Sequence, residues 1–323
     1  MVVAPARPGS ENFESELTRH RSDGPGSVTR LKQYLLLGSL FVLPDALRVR
    51  ALYAMDSTFN LFGEQSLYRN LGYWKDTPKS LDDACQAMAQ LLGETAGFGP
   101  GDEILDVGPA FGDQDMYWLD RFSPRRIVAL DIIPSHVAIA RKRIEAARKH
   151  DHIELRVGSA TDIPFGPDSF DKIVALESAF QFQSREQFFR EARRVLRPGG
   201  RLALVEPLPM AGHRHTWLDQ YIQRCVVAIP KANFYPRETY EQKLRQTGFC
   251  NVQVTSIGQH VYAPFMRYLR RRIDDPDIVR RVNPMVRGFW KGWINSDASA
   301  GHTQDYVLAV ADKAQTPSAS RPR

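Results

Sequence analysis

Between residues 103 and 206, short and almost wholly apolar runs alternate with amphipathic helical segments, and this restricts the fold more than anything else in the chain. The runs are EILDV (103–107), RIVALD ending at Asp131, IELRV (153–157), KIVAL (172–176) and RLALVE (201–206). Between the second and third lies PSHVAIARKRIEAARKH, where Val137, Ala140, Ile144 and Ala147 share one helical face. Strands that are apolar on both faces belong in a parallel sheet covered on both sides. The alternation therefore predicts a doubly wound α/β sheet with right-handed crossovers. NVQVTSI (251–257) and YVLAVAD (306–312) bring the strand count to seven. The roughly fifty residues between them are too many for a hairpin loop, so 260–303 is expected to fold as an inserted helical lid.

The flanks read differently. Residues 1–28 and 313–323 are rich in Gly, Pro, Ser and charge, and are expected to be disordered. Residues 29–100 read as an N-terminal helical cap, because Leu31, Leu35, Leu47 and Leu52, then Leu81, Ala84, Met88, Leu91 and Leu92, recur at helical spacing. GFGPGD (97–102) marks the passage to the main domain, 101–312. The longest apolar stretch, YLLLGSLFVLP (34–44), is well short of the roughly 20 residues a spanning helix needs. It reads as a core or lid helix, or alternatively as an amphipathic surface that touches membranes or captures a greasy substrate. Three distant cysteines, Cys85, Cys225 and Cys250, suit a reducing, cytoplasmic compartment and offer no metal-ligand spacing. The net charge of +6 is not gathered into the long basic tracts that mark nucleic-acid binding.

The stretch EILDVGPAFGDQD (103–115) carries the first functional signal. A glycine-punctuated turn after a strand lets backbone N–H groups approach a ligand closely, and in such sheets the ligand sits beyond the strand ends where strand order reverses. A dinucleotide fingerprint, G-x-G-x-x-G, would need glycine at 108, 110 and 113, but the chain has Gly108, Ala110 and Asp113. An acid at 113 would also oppose a pyrophosphate. The pattern D-x-G-x-G-x-G of S-adenosylmethionine (SAM) methyltransferases matches at Asp106, Gly108 and Gly112. Ala110 is the departure, expected to cost little with a negative φ. SAM carries no phosphate, and its cationic sulfonium tolerates Asp113 and Asp115. Asp131, ending the second strand, is placed to accept hydrogen bonds from both ribose hydroxyls. Asp162, in GSATDIPF, is expected to take the adenine amino group, or else only to cap a turn.

Taken together, DVGPAFG, GSATDIPF, FDKIVALES and VLRPGG resemble class I SAM-dependent methyltransferases. NLGYW (70–74), PSHV (134–137), SATDIPFG, LESA (176–179), PRETY (236–240) and GF (248–249) are similar to the erythromycin O-methyltransferase group of natural-product biosynthesis, over residues 50–312. The resemblance implies a Rossmann-like sheet, SAM as cofactor, and cofactor contacts at Gly108, Asp131, Ile132, Ala160, Asp162 and Glu177, beside the loop residues Asp106 and Gly112. It also implies that Tyr73 and Trp74 help close the methionine end from the cap; their plain alternative is an aromatic core anchor.

Methyl transfer is an in-line displacement that needs mainly alignment in a dry pocket, and an oxygen nucleophile gains from a general base within reach. The resemblance implies a histidine after the fourth strand, but Gln181 stands there, and its amide does not titrate usefully. Glu177 and Glu206, ending the fourth and fifth strands, and His213 and His215 in AGHRHTW are the candidate replacements. Each has a bland reading as a cap, an ion-pair partner or a surface group. Tyr53, Tyr73, Phe180, Phe182, Trp217, Tyr221 and Phe234 are candidates to line an apolar substrate cavity. The run RYLRRR (267–272) reads as a solvated face or as an anchor for an anionic substrate such as a diphosphate.

The expectation is a SAM-dependent methyltransferase for a hydrophobic natural-product-like small molecule, with O-methylation favoured. C-methylation of an isoprenoid or other alkene is the alternative, with aromatic faces stabilising a cation. A non-catalytic SAM-binding subunit is a third reading. No Asn-Pro-Pro-Tyr or Asp-Pro-Pro-Tyr motif follows the fourth strand, so no nucleic-acid partner is expected. Peripheral membrane contact and pairing of two copies stay open.

Overall fold

A computed structural model describes residues 27–54, 61–213, 215–295 and 303–315. The tails expected at 1–28 and 313–323 lie almost wholly outside the described residues.

Seven strands form one sheet: β1 Glu103–Val107, β2 Arg126–Asp131, β3 Ile153–Val157, β4 Phe170–Leu176, β5 Leu196–Pro209, β6 Phe249–Ser256 and β7 Gln304–Lys313. Their order is β3-β2-β1-β4-β5-β7-β6, and β7 alone runs against its neighbours. In β1, Leu105 pairs with Val128 of β2 on one side and Ile173 of β4 on the other. The two faces of the sheet seed two cores. Leu105 and Val128 join Phe188, Phe189 and Tyr240, while the adjacent Ile104 and Ile127 join Met88, Leu92 and Trp118, as the two-residue period of a strand requires. Strand order reverses between β1 and β4, and the crevice at their C-terminal ends is where a ligand is expected.

Helices cover both faces. Helices α1 (Ser27–Ser39), α2 (Asp45–Ala54) and α3 (Leu81–Ala96) precede the sheet, and α4 (Asp113–Phe122), α5 (Pro134–Ala146), α6 (Arg185–Val195), α7 (Trp217–Ile222) and α8 (Arg237–Gln246) lie among its first six strands. The start of α3 is fixed by a capping box between Ser80 and Asp83, and its end by Gly97 at φ +69. Between β6 and β7 come α9 (Tyr262–Arg272), α10 (Pro276–Arg281) and α11 (Pro284–Asn295). They bury Phe265, Leu269 and Ile278 against Phe62 and Trp74. Arg281 ties this lid to the N-terminal segment by donating to the Leu61 carbonyl at 2.7 Å.

The expected cap is not continuously helical. Residues 61–80 form an irregular segment, in which Glu64 and Gln65 donate backbone N–H groups to Asp82 and Gly72 sits at φ +79 against Ala84. Leu31, Leu35 and Leu47, read at helical spacing, are exposed. The polar Gln33 is buried on α1 and accepts a hydrogen bond from Asn283. Among the described residues no helix is long and apolar enough to cross a membrane.

Candidate active site

One cavity of about 480 Å³ opens at the β1/β4 crevice. Its floor is the loop after β1. Gly108, at φ +91, donates its N–H to the Leu130 carbonyl at 2.9 Å, and a Cβ there would collide with Ser178. Ser178 Oγ in turn donates to the Val107 carbonyl at 2.5 Å, so the β1 and β4 loops interlock. Ala110 departs from expectation: it sits at φ +52, in the left-handed region that favours glycine. Its N–H donates to Asp131 Oδ2 at 3.3 Å, and this contact holds the loop in place.

Asp131, Ile132 and Ala160 all line the cavity. The Asp131 carboxylate is also bonded by the Ile133 N–H at 2.8 Å, so it is fixed before any ligand arrives. Other expected cofactor residues lie elsewhere. Gly112, at φ +81, starts α4 and packs against Ala140 and Ile144, off the cavity. Asp106 lies one layer beneath, where it accepts from Gln114 Nε2 at 2.8 Å, and Gln114 rather than Asp106 reaches the cavity wall. Three of the four carboxyl oxygens of Asp106 and Asp115 have no other donor. Burial pushes both carboxyls above the usual carboxylate range, and the neighbouring Asp106 adds to the rise at Asp115. Asp162 is exposed and outside the lining. The turn closes on itself through the Asp162 N–H and the Ser159 carbonyl at 3.2 Å, which leaves Gly158 to Thr161 as the cavity wall.

Glu177 lines the cavity at φ +49, with Oε1 accepting from the Leu71 N–H at 2.6 Å and from the Tyr306 hydroxyl. Burial pushes its carboxyl up to about 7, against the opposing pull of those two donors and of Arg69. Glu206 is a correction. It is fully buried and off the cavity, with one oxygen taken by Arg185 Nε at 2.8 Å and the other by the Tyr240 hydroxyl at 2.6 Å. Burial raises its carboxyl and the Arg185 guanidinium opposes that rise. Both charges are spent inside a structural knot. Arg185 also donates to the Asn233 carbonyl, and Asn233 Nδ2 donates to the carbonyls of Phe180 and Phe182. This knot sets the wall formed by Gln181, Phe182 and Pro230.

The opposite wall comes from the cap. Asp45, Val49 and Tyr53 of α2 face the cavity. Tyr53 donates its hydroxyl to Gln181 Oε1 at 2.6 Å, while Gln181 Nε2 donates to the Val227 carbonyl at 2.8 Å. The Tyr53 ring meets His136 edge-on with centroids 5.0 Å apart, and Arg69 lies over it at 4.9 Å. His136, Arg69, Asn70 and Gln114 line the cavity without having been singled out in the sequence. Asn70 and His136 do fall inside NLGYW and PSHV.

The remaining aromatic candidates lie away from the cavity. Tyr73 packs edge-on against His260, Trp74 belongs to the lid core, and Phe180 is buried behind the wall. Trp217 and Tyr221 are exposed on α7. His213 meets His215 edge-on, His215 meets Phe234, and none of the three borders the cavity. Within RYLRRR, Arg272 pairs with Asp275 at 2.8 Å and Arg270 donates to the Ile294 carbonyl; neither these nor Arg267 and Arg271 border the cavity.

The "Methyltransferase domain" family profile matches residues 105–204. The erythromycin 3''-O-methyltransferase of Saccharopolyspora erythraea is 37% identical over 276 residues, covering 82% of this chain and 90% of that protein. The chain belongs to the class I SAM-dependent methyltransferases. It is an enzyme of that family, within its natural-product group, and SAM is its cofactor. The 27-O-demethylrifamycin SV methyltransferase of Amycolatopsis mediterranei is a more distant relative, 27% identical over 58% of this chain and 69% of its own. A cyclopropane synthase of Mycobacterium tuberculosis shares the fold, with TM-score 0.70 at 18% identity over 84% of this chain and 99% of its own. The cavity suits SAM on structural grounds. A preset buried carboxylate stands at Asp131, small residues lie at 158–160, and an acid at Glu177 can meet the ammonium of the methionine end.

Proposed function

We propose that this methyltransferase methylates a hydroxyl group of a hydrophobic, macrolide-like natural product. The observation that carries this reading is the shared cavity. Cofactor-side residues Gly108, Asp131, Ile132 and Ala160 face cap-side Val49 and Tyr53 across one space, with the Tyr53–Gln181 hydrogen bond at its rim. When bound, SAM supplies an electrophilic methyl; the chain supplies position and dryness.

Asp131 holds the ribose hydroxyls, the Gly158–Thr161 turn flanks the adenine, and Glu177 meets the ammonium. Glu177 is thus given a cofactor role, since its carboxylate already receives two donors that fix it toward the cap. Tyr53, its hydroxyl proton committed to Gln181, faces the cavity where an acceptor hydroxyl can meet its oxygen and be oriented. The C-methyl alternative drew on an anion anchor at 267–272, and those arginines lie off the cavity. Of the two associations left open, membrane contact is favoured over pairing of two copies.

The test is incubation with methyl-labelled SAM and a panel of hydroxylated macrolides. The expected product carries label that ether cleavage releases. Label that survives ether cleavage would instead mark a carbon acceptor.

A further inference from the structure

The cap presents an apolar face to solvent in a place where a water-facing surface should be polar. On α1 the outward positions are Leu31, Tyr34 and Leu35, the last 68% exposed, with Val42 82% exposed in the turn that follows. The spacing is that of one helical stripe, and it points away from the protein. On α7 the same inversion recurs at Trp217, 78% exposed, with Leu218, Tyr221 and Ile222 beside it. The two stripes are one surface, since the Phe41 and Tyr221 rings lie 6.5 Å apart and the Tyr221 hydroxyl donates to the Phe41 carbonyl at 3.2 Å. Arg224 clamps the same junction to Asp45 at 2.6 Å. Each large apolar side chain left in water forgoes about 1.5–3 kcal/mol of burial, so a contiguous set of this size marks a contact surface.

Charge and position select the occupant. Among the described residues of the two segments that build this face, Lys32, Arg50 and Lys231 are exposed and Arg30 and Arg224 half-buried, while the half-buried Asp45 is already paired with Arg224 and the buried Arg48, so the face carries a positive surplus. A second copy docked face to face would set two such surpluses against each other. An anionic bilayer complements them, and the aromatic rim of Tyr34, Trp217 and Tyr221 suits the headgroup boundary. Asp45, Val49 and Tyr53 carry this surface directly into the cavity. We propose that the outward stripes of α1 and α7 dock on an anionic lipid bilayer and set the mouth of the cavity against it. The docking rests on the exposed face and its charge, not on which acceptor is methylated, and its test is read without turnover.

The full chain is mixed with vesicles of phosphatidylcholine alone or with roughly one-third phosphatidylglycerol and sedimented. Binding is expected only to the anionic vesicles, weakening as salt rises. Leu35→Glu with Val42→Glu and Trp217→Glu should reduce it at least tenfold, about 1.4 kcal/mol or more, while SAM affinity stays unchanged. Trp217→Phe keeps docking but should lose the part of the tryptophan quenching that brominated lipid causes in the parent chain. This second variant reads the face even if the triple substitution misfolds. The proposal is overturned if no vesicles bind, if they bind the triple variant equally, if quenching is the same without Trp217, or if the chain is a dimer that these substitutions dissociate.

Discussion

On the sheet side of the cavity, position is dictated by backbone. Only glycine fits at 108, where φ is +91 and a Cβ would strike Ser178, and Asp131 is held by two N–H groups. On the cap side, Tyr53 reaches the cavity from a helix and is placed by side-chain contacts, among them its bond to Gln181, while the helix before it turns Leu31 and Leu35 to water. The first wall is a fixed receptor for a constant ligand. The second is an adjustable surface for whatever the lineage methylates, and family resemblance fixes its chemistry least. Four measurements can break or sharpen this division, from the largest effect to the smallest.

The knot of Arg185, Glu206, Asn233 and Tyr240 is what makes even the adjustable side rigid at 180–183 and 230–232. Replacing Arg185 by Met leaves Glu206 buried and unpaired, at a cost of about 3–5 kcal/mol. Urea unfolding should show that loss, and the double variant Arg185→Met with Glu206→Gln should recover a large part of it. If the single change costs under about 1 kcal/mol, the knot does not hold the wall.

Asp131→Ala should weaken SAM binding by about 1.5–3 kcal/mol, read by calorimetry, with acceptor KM little changed. An equal loss for acceptor and cofactor would erase the distinction between the two walls.

The third effect is a pH dependence. Burial raises Glu177 to about 7, and only its ionised form pairs with an ammonium. SAM affinity should therefore rise through neutrality and be about tenfold weaker at pH 6 than at pH 8. The contribution to folding has the opposite sign. A carboxyl whose folded value is raised stabilises the fold below its unfolded value, and that contribution is lost as pH rises through about 7. Glu177→Gln should flatten the affinity profile. If the profile is already flat in the parent chain, Glu177 is not at the ammonium.

What the sequence disclosed follows the same division. Apolar strand runs, Gly108 and Asp131 were readable because period, turn and strand end are local consequences of backbone geometry. Glu206 has the same local signature as Asp131, and only Arg185, 21 residues away and folded onto it, removes it from the chemistry. Asp162 sits in a tight turn at 159–162, exposed and outside the cavity lining, a placement that spacing does not encode. Trp217 and Tyr221 were expected inside from their residue type. An aromatic side chain names no direction, and α7 turns them to solvent.

The smallest effect tests the cap wall itself. If Tyr53 orients the acceptor hydroxyl through an oxygen whose proton is committed to Gln181, then Tyr53→Phe removes one neutral hydrogen bond and little packing. That is about 0.5–1.5 kcal/mol, a loss of about twofold to twelvefold in kcat/KM, with SAM affinity and melting temperature unchanged. Gln181→Leu should cost about the same, since it frees Tyr53 and abandons the Val227 carbonyl, and the double variant should cost little more than either single one because the two act as a pair. Gln181→His separates alignment from base catalysis. It places a titrating group where the resemblance implies one, so a gain of about a hundredfold or more would mean that proton removal limits the parent enzyme. The expected result is a change within about threefold, because a reaction limited by alignment has nothing to gain from a base that cannot also hold Tyr53 and the 223–233 wall in place.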